Sequence, residues 1–222
     1  MIYFADATAF CTEDSQWQPL LSQSRKRRML AVKQPEDQQR SLAVELLLCF
    51  ALKNEYPAIK LPAAYHYDNK GKPISDMDGI YFSLSHSGRY AACAISPYPI
   101  GIDIQWKKET SQKVIEKALT GNQIEMIRSM PQKKQADAYY DFWCLKEALY
   151  KVTNEGSVRQ PTEFEFSNQG GRLGISKGEL NLRNYSTVPG YSLGACVHGP
   201  LPHCIFEVST EKIEELLSNN EC

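Results

Sequence analysis

Apolar residues recur along the first part of the chain at the spacing of a helix. Residues 12–29 and 35–56 predict helices. The second carries Leu42, Leu46, Cys49 and Leu52 along one stripe, with Glu36 and Asp37 in its first turn, where the helix dipole favours acids. After the polar turn Tyr67-Asp68-Asn69-Lys70-Gly71-Lys72-Pro73 the period changes. Ile80, Phe82 and Leu84 alternate with Tyr81, Ser83 and Ser85, the pattern of a half-buried strand. A turn at Ser87-Gly88, a second strand at 89–95, a turn at 96–99 and a third strand at 100–104 complete a predicted antiparallel meander.

Beyond Trp106 the helical period returns, at 111–119, 122–129 and 132–152. Short strands follow at 164–166, 180–185, 191–197 and 204–208, with a last helix after Thr210. Each half reads as helices followed by a small antiparallel sheet. The predicted class is therefore α+β, with two pseudo-duplicated lobes, 1–107 and 108–222, on the order of elements.

Composition narrows the partners. The chain has 222 residues with 25 basic and 26 acidic side chains, so no bulk charge draws it to nucleic acid or to an anionic membrane. The longest apolar stretch, 42–52, is broken by Glu45 and is shorter than the roughly 20 residues that cross a bilayer. No basic region precedes an apolar run at the N-terminus, so no secretory signal is predicted. Seven cysteines form no C-x-x-C pair, most sit in apolar company, and they read as reduced core thiols of a cytoplasmic protein. Cys196, His198, His203 and Cys204 match no zinc-ligand spacing.

Four stretches hold residues able to do chemistry. In Gly101-Ile102-Asp103-Ile104-Gln105, strand alternation sends the isoleucines one way and Asp103 with Gln105 the other; Asp103 is either an exposed edge residue or part of a site. In the 132–152 helix, Phe142, Leu145, Leu149 and Val152 form the predicted buried stripe, while Trp143, Glu147 and Lys151 follow one another on the far side. Glu147 with Lys151 is also the order of an ordinary surface pair. Phe82-Ser-Leu-Ser-His-Ser-Gly-Arg89 runs a strand into a hydroxyl-rich turn able to donate to phosphate, although His86 equally fits a turn role. The basic run Arg25-Lys-Arg-Arg28 reads as a solvated helix face or an anion contact. It lacks the interleaved aromatics of a nucleic-acid binder. No Walker A or G-x-G-x-x-G sequence offers a phosphate cradle.

Taken in order, Gly71-Lys-Pro73, Phe82-Ser-Leu-Ser-His-Ser-Gly88, Gly101-Ile-Asp-Ile104 and Trp143-x-x-Lys-Glu-Ala-x-x-Lys151 resemble the 4'-phosphopantetheinyl transferases of the two-lobed, surfactin-synthetase-activating type. The resemblance is clear from Arg25 to Lys151. It implies a holo-[acyl-carrier-protein] synthase (EC 2.7.8.7), moving the phosphopantetheine arm of coenzyme A to a serine of an acyl or peptidyl carrier protein and releasing 3',5'-ADP. It also implies a monomer with its active site between the lobes, and Mg²⁺, or Mn²⁺, as the metal.

Residue by residue, the resemblance implies that Asp103 and Glu147 bind the metal and that Glu147 serves as general base. Lys151 stabilises the pyrophosphate or protonates the departing oxygen, and Lys146, the adjacent motif lysine, is a further contact for the coenzyme's phosphates. Lys72, Ser85 and His86 match coenzyme-contacting positions, with His86 donating to phosphate. Arg40 stands where the family places an arginine for the 3'-phosphate, and Arg25 and Arg28 are further candidates for that anion or for an acidic carrier helix. Gln105 departs from the pattern, since many members have a second acid there. An amide oxygen ligates magnesium or orients a water without adding charge, and a non-catalytic coenzyme-binding relative is the alternative reading.

Overall fold

A computed structural model describes residues 1–107, 116–154, 167–169, 172–177, 180–185 and 188–218. The chain divides into two compact units, residues 1–98 with 202–222, and residues 99–201.

The first unit is built on a four-stranded sheet in the order β11–β1–β5–β4, from β1 (Ile2–Asp6), β4 (Tyr81–Ser87), β5 (Tyr90–Ser96) and β11 (Ile205–Glu207). β1 runs parallel to β11 and antiparallel to β5, so the sheet is mixed. Helix α2 (Pro35–Glu55) packs on β5, β4 and β1. Every residue of α2 from Ser41 to Leu52 is buried, against the single stripe read from its sequence. The C-terminal helix α5 (Thr210–Ser218) and helix α1 (Gln23–Ala31) also pack on α2, and a helix covered on several sides is apolar all round.

The helix predicted at 12–29 divides into a 3-10 segment, Ser15–Leu20, and α1. Ser22 separates them because its hydroxyl accepts from the Arg25 amide and caps α1. A two-stranded hairpin, β2 (Tyr65–Tyr67) and β3 (Pro73–Ser75), carries the polar turn.

The second unit holds a five-stranded antiparallel sheet in the order β6–β10–β9–β8–β7. Its strands are β6 (Ile100–Trp106), β7 (Ser167–Gln169), β8 (Arg172–Lys177), β9 (Leu180–Tyr185) and β10 (Tyr191–Val197). Helix α4 (Gln132–Thr153) lies across β6, β10 and β9, and α3 (Gly121–Ser129) packs on α4. Thr120 and Gln123 start α3 with a reciprocal capping box. The predicted strand at 164–166 and most of the predicted helix at 111–119 lie outside the described residues; 117–119 are turn and bend.

The third strand of the predicted meander leaves its sheet. β5 is already paired on one side with β1 and on the other with β4, so β6 has no edge of β5 to join. It pairs instead with β10 from Ile100↔Val197 to Trp106↔Tyr191. The division consequently falls at Pro99 instead of after Lys107, and residues 202–222 return to the first unit through β11. Each unit still carries one long helix laid on a small sheet, as the α+β reading holds.

One buried ion pair ties the first unit together. Arg25 Nε donates to Glu45 Oε2 at 2.8 Å, Arg25 Nη1 to Ser41 Oγ at 3.3 Å, and the Tyr65 hydroxyl to the same Glu45 oxygen at 2.7 Å. Glu45 is 0% exposed and its Oε1 has no hydrogen-bond partner among the described residues, so the Arg25 charge is what makes burial of this carboxylate tolerable. Burial alone would lower the Arg25 pKa, and the adjacent Glu45 charge raises it above the ordinary arginine value.

Glu45→Gln leaves the Arg25 charge buried and unpaired and is expected to lower the unfolding free energy by about 3 to 5 kcal/mol, measured by urea denaturation. Replacing both partners, Arg25→Met with Glu45→Leu, is expected to recover most of that loss. An unchanged midpoint for Glu45→Gln would contradict the assignment.

Candidate functional site

The second unit brings Asp103, Gln105, Glu147 and Lys151 onto two neighbouring elements, β6 and α4. Alternation along β6 puts Gly101, Asp103 and Gln105 on one face, and that face meets α4. The contact is unusually close. A methyl group on Gly101 would overlap the Ala148 carbonyl oxygen, and one on Gly194 of β10, paired with Asp103, would sit 2.8 Å from the Cys144 carbonyl carbon. These two glycines let the helix backbone settle onto the strands.

At that distance Lys151 reaches back to β6. Its ammonium donates to Asp103 Oδ1 at 3.0 Å and to the Ile102 carbonyl at 2.7 Å. Gln105 Nε2 donates to Asp103 Oδ2 at 3.3 Å. Asp103 is 4% exposed, which removes the exposed-edge alternative, and Lys151 is not a surface residue paired only within its helix. Glu147 stands one helical turn before Lys151 and is half-buried. Cys144 lies beneath, its thiol donating to the Ser192 carbonyl at 3.4 Å. Burial first, then the Asp103 charge, push that thiol's pKa well up, so it stays protonated. Ser192 in turn donates to Asp141 of α4, whose pKa is raised by burial.

Lys146 does not serve as a phosphate contact in this arrangement. It is 3% exposed and donates to the Ala118 carbonyl, tying α4 to the segment before α3. Burial lowers its pKa to about 8, against the opposing charge of Glu147. It faces the core because Lys146 lies in register with the buried Phe142 and Leu149 and not with Glu147.

The first unit holds the other candidates. Lys72 is half-buried, its pKa lowered by burial against the nearby Asp68 charge, and among the described residues its ammonium makes no hydrogen bond or ion pair. Ser85 is buried and His86 exposed, on opposite faces of β4. His86 shares its face with Phe82, the side on which α2 packs, and Arg40 of α2 donates to the Gly88 carbonyl at 3.1 Å while pairing with Asp37. Arg25 is withdrawn as an anion contact: its guanidinium is spent on Glu45 and Ser41. Arg28 is exposed but engaged, 4.0 Å over the Tyr67 ring centre and donating to the Gly71 carbonyl at 3.0 Å.

Sequence reasoning passed over Glu45, Tyr65, Tyr67 and Cys144. For Glu45 the signal was present, a lone acid inside an apolar run, which implies a buried cationic partner. As metal donors, Asp103, Glu147 and the Gln105 carboxamide are all oxygen ligands. That set suits magnesium, which keeps waters and phosphate oxygens around it, and among the described residues no group of three or more His, Cys, Asp or Glu is arranged to hold a metal alone. No described helix is long and apolar enough to cross a membrane.

Comparison with known proteins converges on one family. The family model of the 4'-phosphopantetheinyl transferase superfamily matches residues 99–196, almost the span of the second unit. The chain is 26% identical over 208 residues to 4'-phosphopantetheinyl transferase Sfp of Bacillus subtilis (strain 168), covering 90% of this chain and 93% of Sfp. It is 26% identical over 170 residues to psf-1 of Bacillus pumilus, covering 74% and 73%. Over 124 residues it is 32% identical to gsp of Aneurinibacillus migulanus, covering 54% and 51%.

Gly101→Ala is expected to force α4 off β6, costing about 1 to 3 kcal/mol in urea unfolding and breaking the Lys151–Asp103 hydrogen bond in a crystal structure of the variant. Retention of both stability and that bond would show that the close approach is not needed.

Proposed function

We propose that this chain, an Sfp-like relative of the 4'-phosphopantetheinyl transferases, moves the 4'-phosphopantetheine arm of coenzyme A to a serine hydroxyl of an acyl or peptidyl carrier protein and releases 3',5'-ADP. The observation that carries the reading is the Asp103–Lys151 pair with Glu147 one turn away, inside the segment that matches the superfamily.

Asp103, Glu147 and the carboxamide oxygen of Gln105 would hold magnesium or manganese. Such an ion, when bound, offsets the charge of the pyrophosphate and of the developing transition state. Gln105 adds no formal charge, which makes this a two-carboxylate set. The chain's own groups account for the proton and charge movements. Glu147, half-buried at the margin of the core, accepts the proton of the carrier serine as its oxygen attacks the coenzyme's β-phosphorus. The bond from that phosphorus to the bridging oxygen breaks, and its electron pair leaves on 3',5'-ADP. Lys151, its ammonium fixed by the Ile102 carbonyl and Asp103, is the cation that meets the negative charge gathering on the departing phosphate. Lys72, half-buried and with no ion pair among the described residues, is suited to a coenzyme phosphate, and His86 and Arg40 lie on one face of the first unit's sheet to assist.

The reaction corresponds to EC 2.7.8.7 and to apo-to-holo conversion of the carrier. The chain is proposed to work as a monomer in the cytoplasm, a reducing compartment that its free thiols, including exposed Cys11 and Cys204, fit.

Incubation of an apo carrier protein with the chain, coenzyme A and Mg²⁺ is expected to add about 340 Da to the carrier by mass spectrometry, the mass of the transferred arm. Glu147→Ala is expected to slow that addition at least about 100-fold while circular dichroism stays native. Coenzyme A binding without any mass increase would favour the non-catalytic relative; full activity in Glu147→Ala would overturn the assignment of the base.

A further inference from the structure

Helix α1 is fixed at its start and in its middle. Ser22 caps it and donates to the Tyr65 hydroxyl at 3.3 Å, and Arg25 is locked to Glu45 and Ser41. One turn later the helix presents Arg28, whose guanidinium carbon lies 4.0 Å from the Tyr67 ring centre and whose Nη1 donates to the Gly71 carbonyl at 3.0 Å. Tyr67 ends β2, and Gly71 stands two residues before β3 begins, so Arg28 grips the hairpin turn at both ends.

The turn itself is a small braced body. Asp68 Oδ1 accepts from the Lys70 and Lys72 amides at 2.9 and 2.8 Å, the Gly71 amide donates to the Asp68 carbonyl at 3.0 Å, and the Asp68 amide to the Lys72 carbonyl at 2.9 Å. Gly71 has φ +81°, and a Cβ there would lie 3.1 Å from Arg28 Nη2, so both backbone shape and proximity call for glycine. The two strands holding this body are only three residues each, and Arg28 is its added fastening to a helix that is itself anchored in the core. The guanidinium has a ring against one face and a carbonyl on one edge, a use of the planar fork that an ammonium does not reproduce.

We infer that Arg28 is a positioning residue: it fixes the 67–73 turn, and with it the place at which Lys72 meets the coenzyme, instead of contacting the coenzyme's phosphates itself. This rests on the reading of Lys72 as a coenzyme contact. Tyr67 is the other half of the same brace.

Two measurements on the full chain test it. Without coenzyme, Arg28→Ala and Tyr67→Leu are each expected to speed amide hydrogen exchange across residues 69–72 about tenfold, with exchange in α2 unchanged. With coenzyme, Arg28→Ala is expected to raise KM about tenfold, kcat moving less than about twofold, and equally for coenzyme A and 3'-dephospho-coenzyme A; Arg28→Lys, keeping charge without the planar fork, is expected to behave like the alanine variant. Unchanged exchange in the turn would overturn the inference. So would a KM effect confined to the 3'-phosphorylated coenzyme, or one restored by lysine, either of which makes Arg28 a direct phosphate contact. Failure of the transferase reading itself shows differently, as a wild-type chain that adds no mass to any carrier, and the exchange measurement then decides the brace alone.

Discussion

The close seating of α4 on β6 is the constraint on which the candidate site depends. Gly101 has no side chain to hold the helix away, and that brings the Lys151 ammonium within hydrogen-bond reach of a carboxylate on a different element. The pairing is mutual in its logic. Asp103 is nearly fully buried, and a buried carboxylate needs a cation and donors, which Lys151 and Gln105 provide. The Lys151 ammonium is held in turn by Asp103 and the Ile102 carbonyl. A strand that reads as apolar alternation therefore carries a charged pair at its helix-facing side, held by backbone proximity.

The first unit uses the same device for a different purpose. Arg25 and Glu45 form a buried pair between α1 and α2, and here the charges organise structure: they seat α1, from which Arg28 reaches the Lys72 turn. In both units a basic residue read from sequence as an anion ligand turns out to have an internal partner. Arg25 is satisfied by Glu45 and Lys146 by Ala118. What separates these from Lys72 is full burial with a hydrogen-bonded partner as against partial burial with no such partner for its ammonium among the described residues, a distinction that spacing along a helix does not express.

Much of the local structure was legible because it follows from short-range periodicity. The long helices α2 and α4, strands β4, β5 and β6, and the polar turn ahead of β3 lie close to where the pattern puts them. Long-range pairing was not legible. Nothing in Ile100–Trp106 announces that its partner is Tyr191–Val197, nor that Ile2–Asp6 pairs in parallel with Ile205–Glu207, since partner choice depends on which strand edges remain open. That is why the expected boundary after Lys107 moves to Pro99, and why Asp103 and Glu147, expected on different lobes, share one unit. The site residues Asp103, Glu147 and Lys151 were readable as a motif, whereas the contact of Lys151 with Asp103 required the glycine-mediated approach that no alternation of apolar and polar residues encodes.

In the proposed reaction the Asp103 carboxylate, held by Lys151 on a close-packed helix, supports the transfer chemistry. The decisive measurement is the rate of arm transfer to an apo carrier by Asp103→Asn at saturating coenzyme A and Mg²⁺, because the amide keeps the shape and removes the charge. A loss of at least about 100-fold with a native near-ultraviolet spectrum is expected. A rate within about twofold of wild type would contradict it.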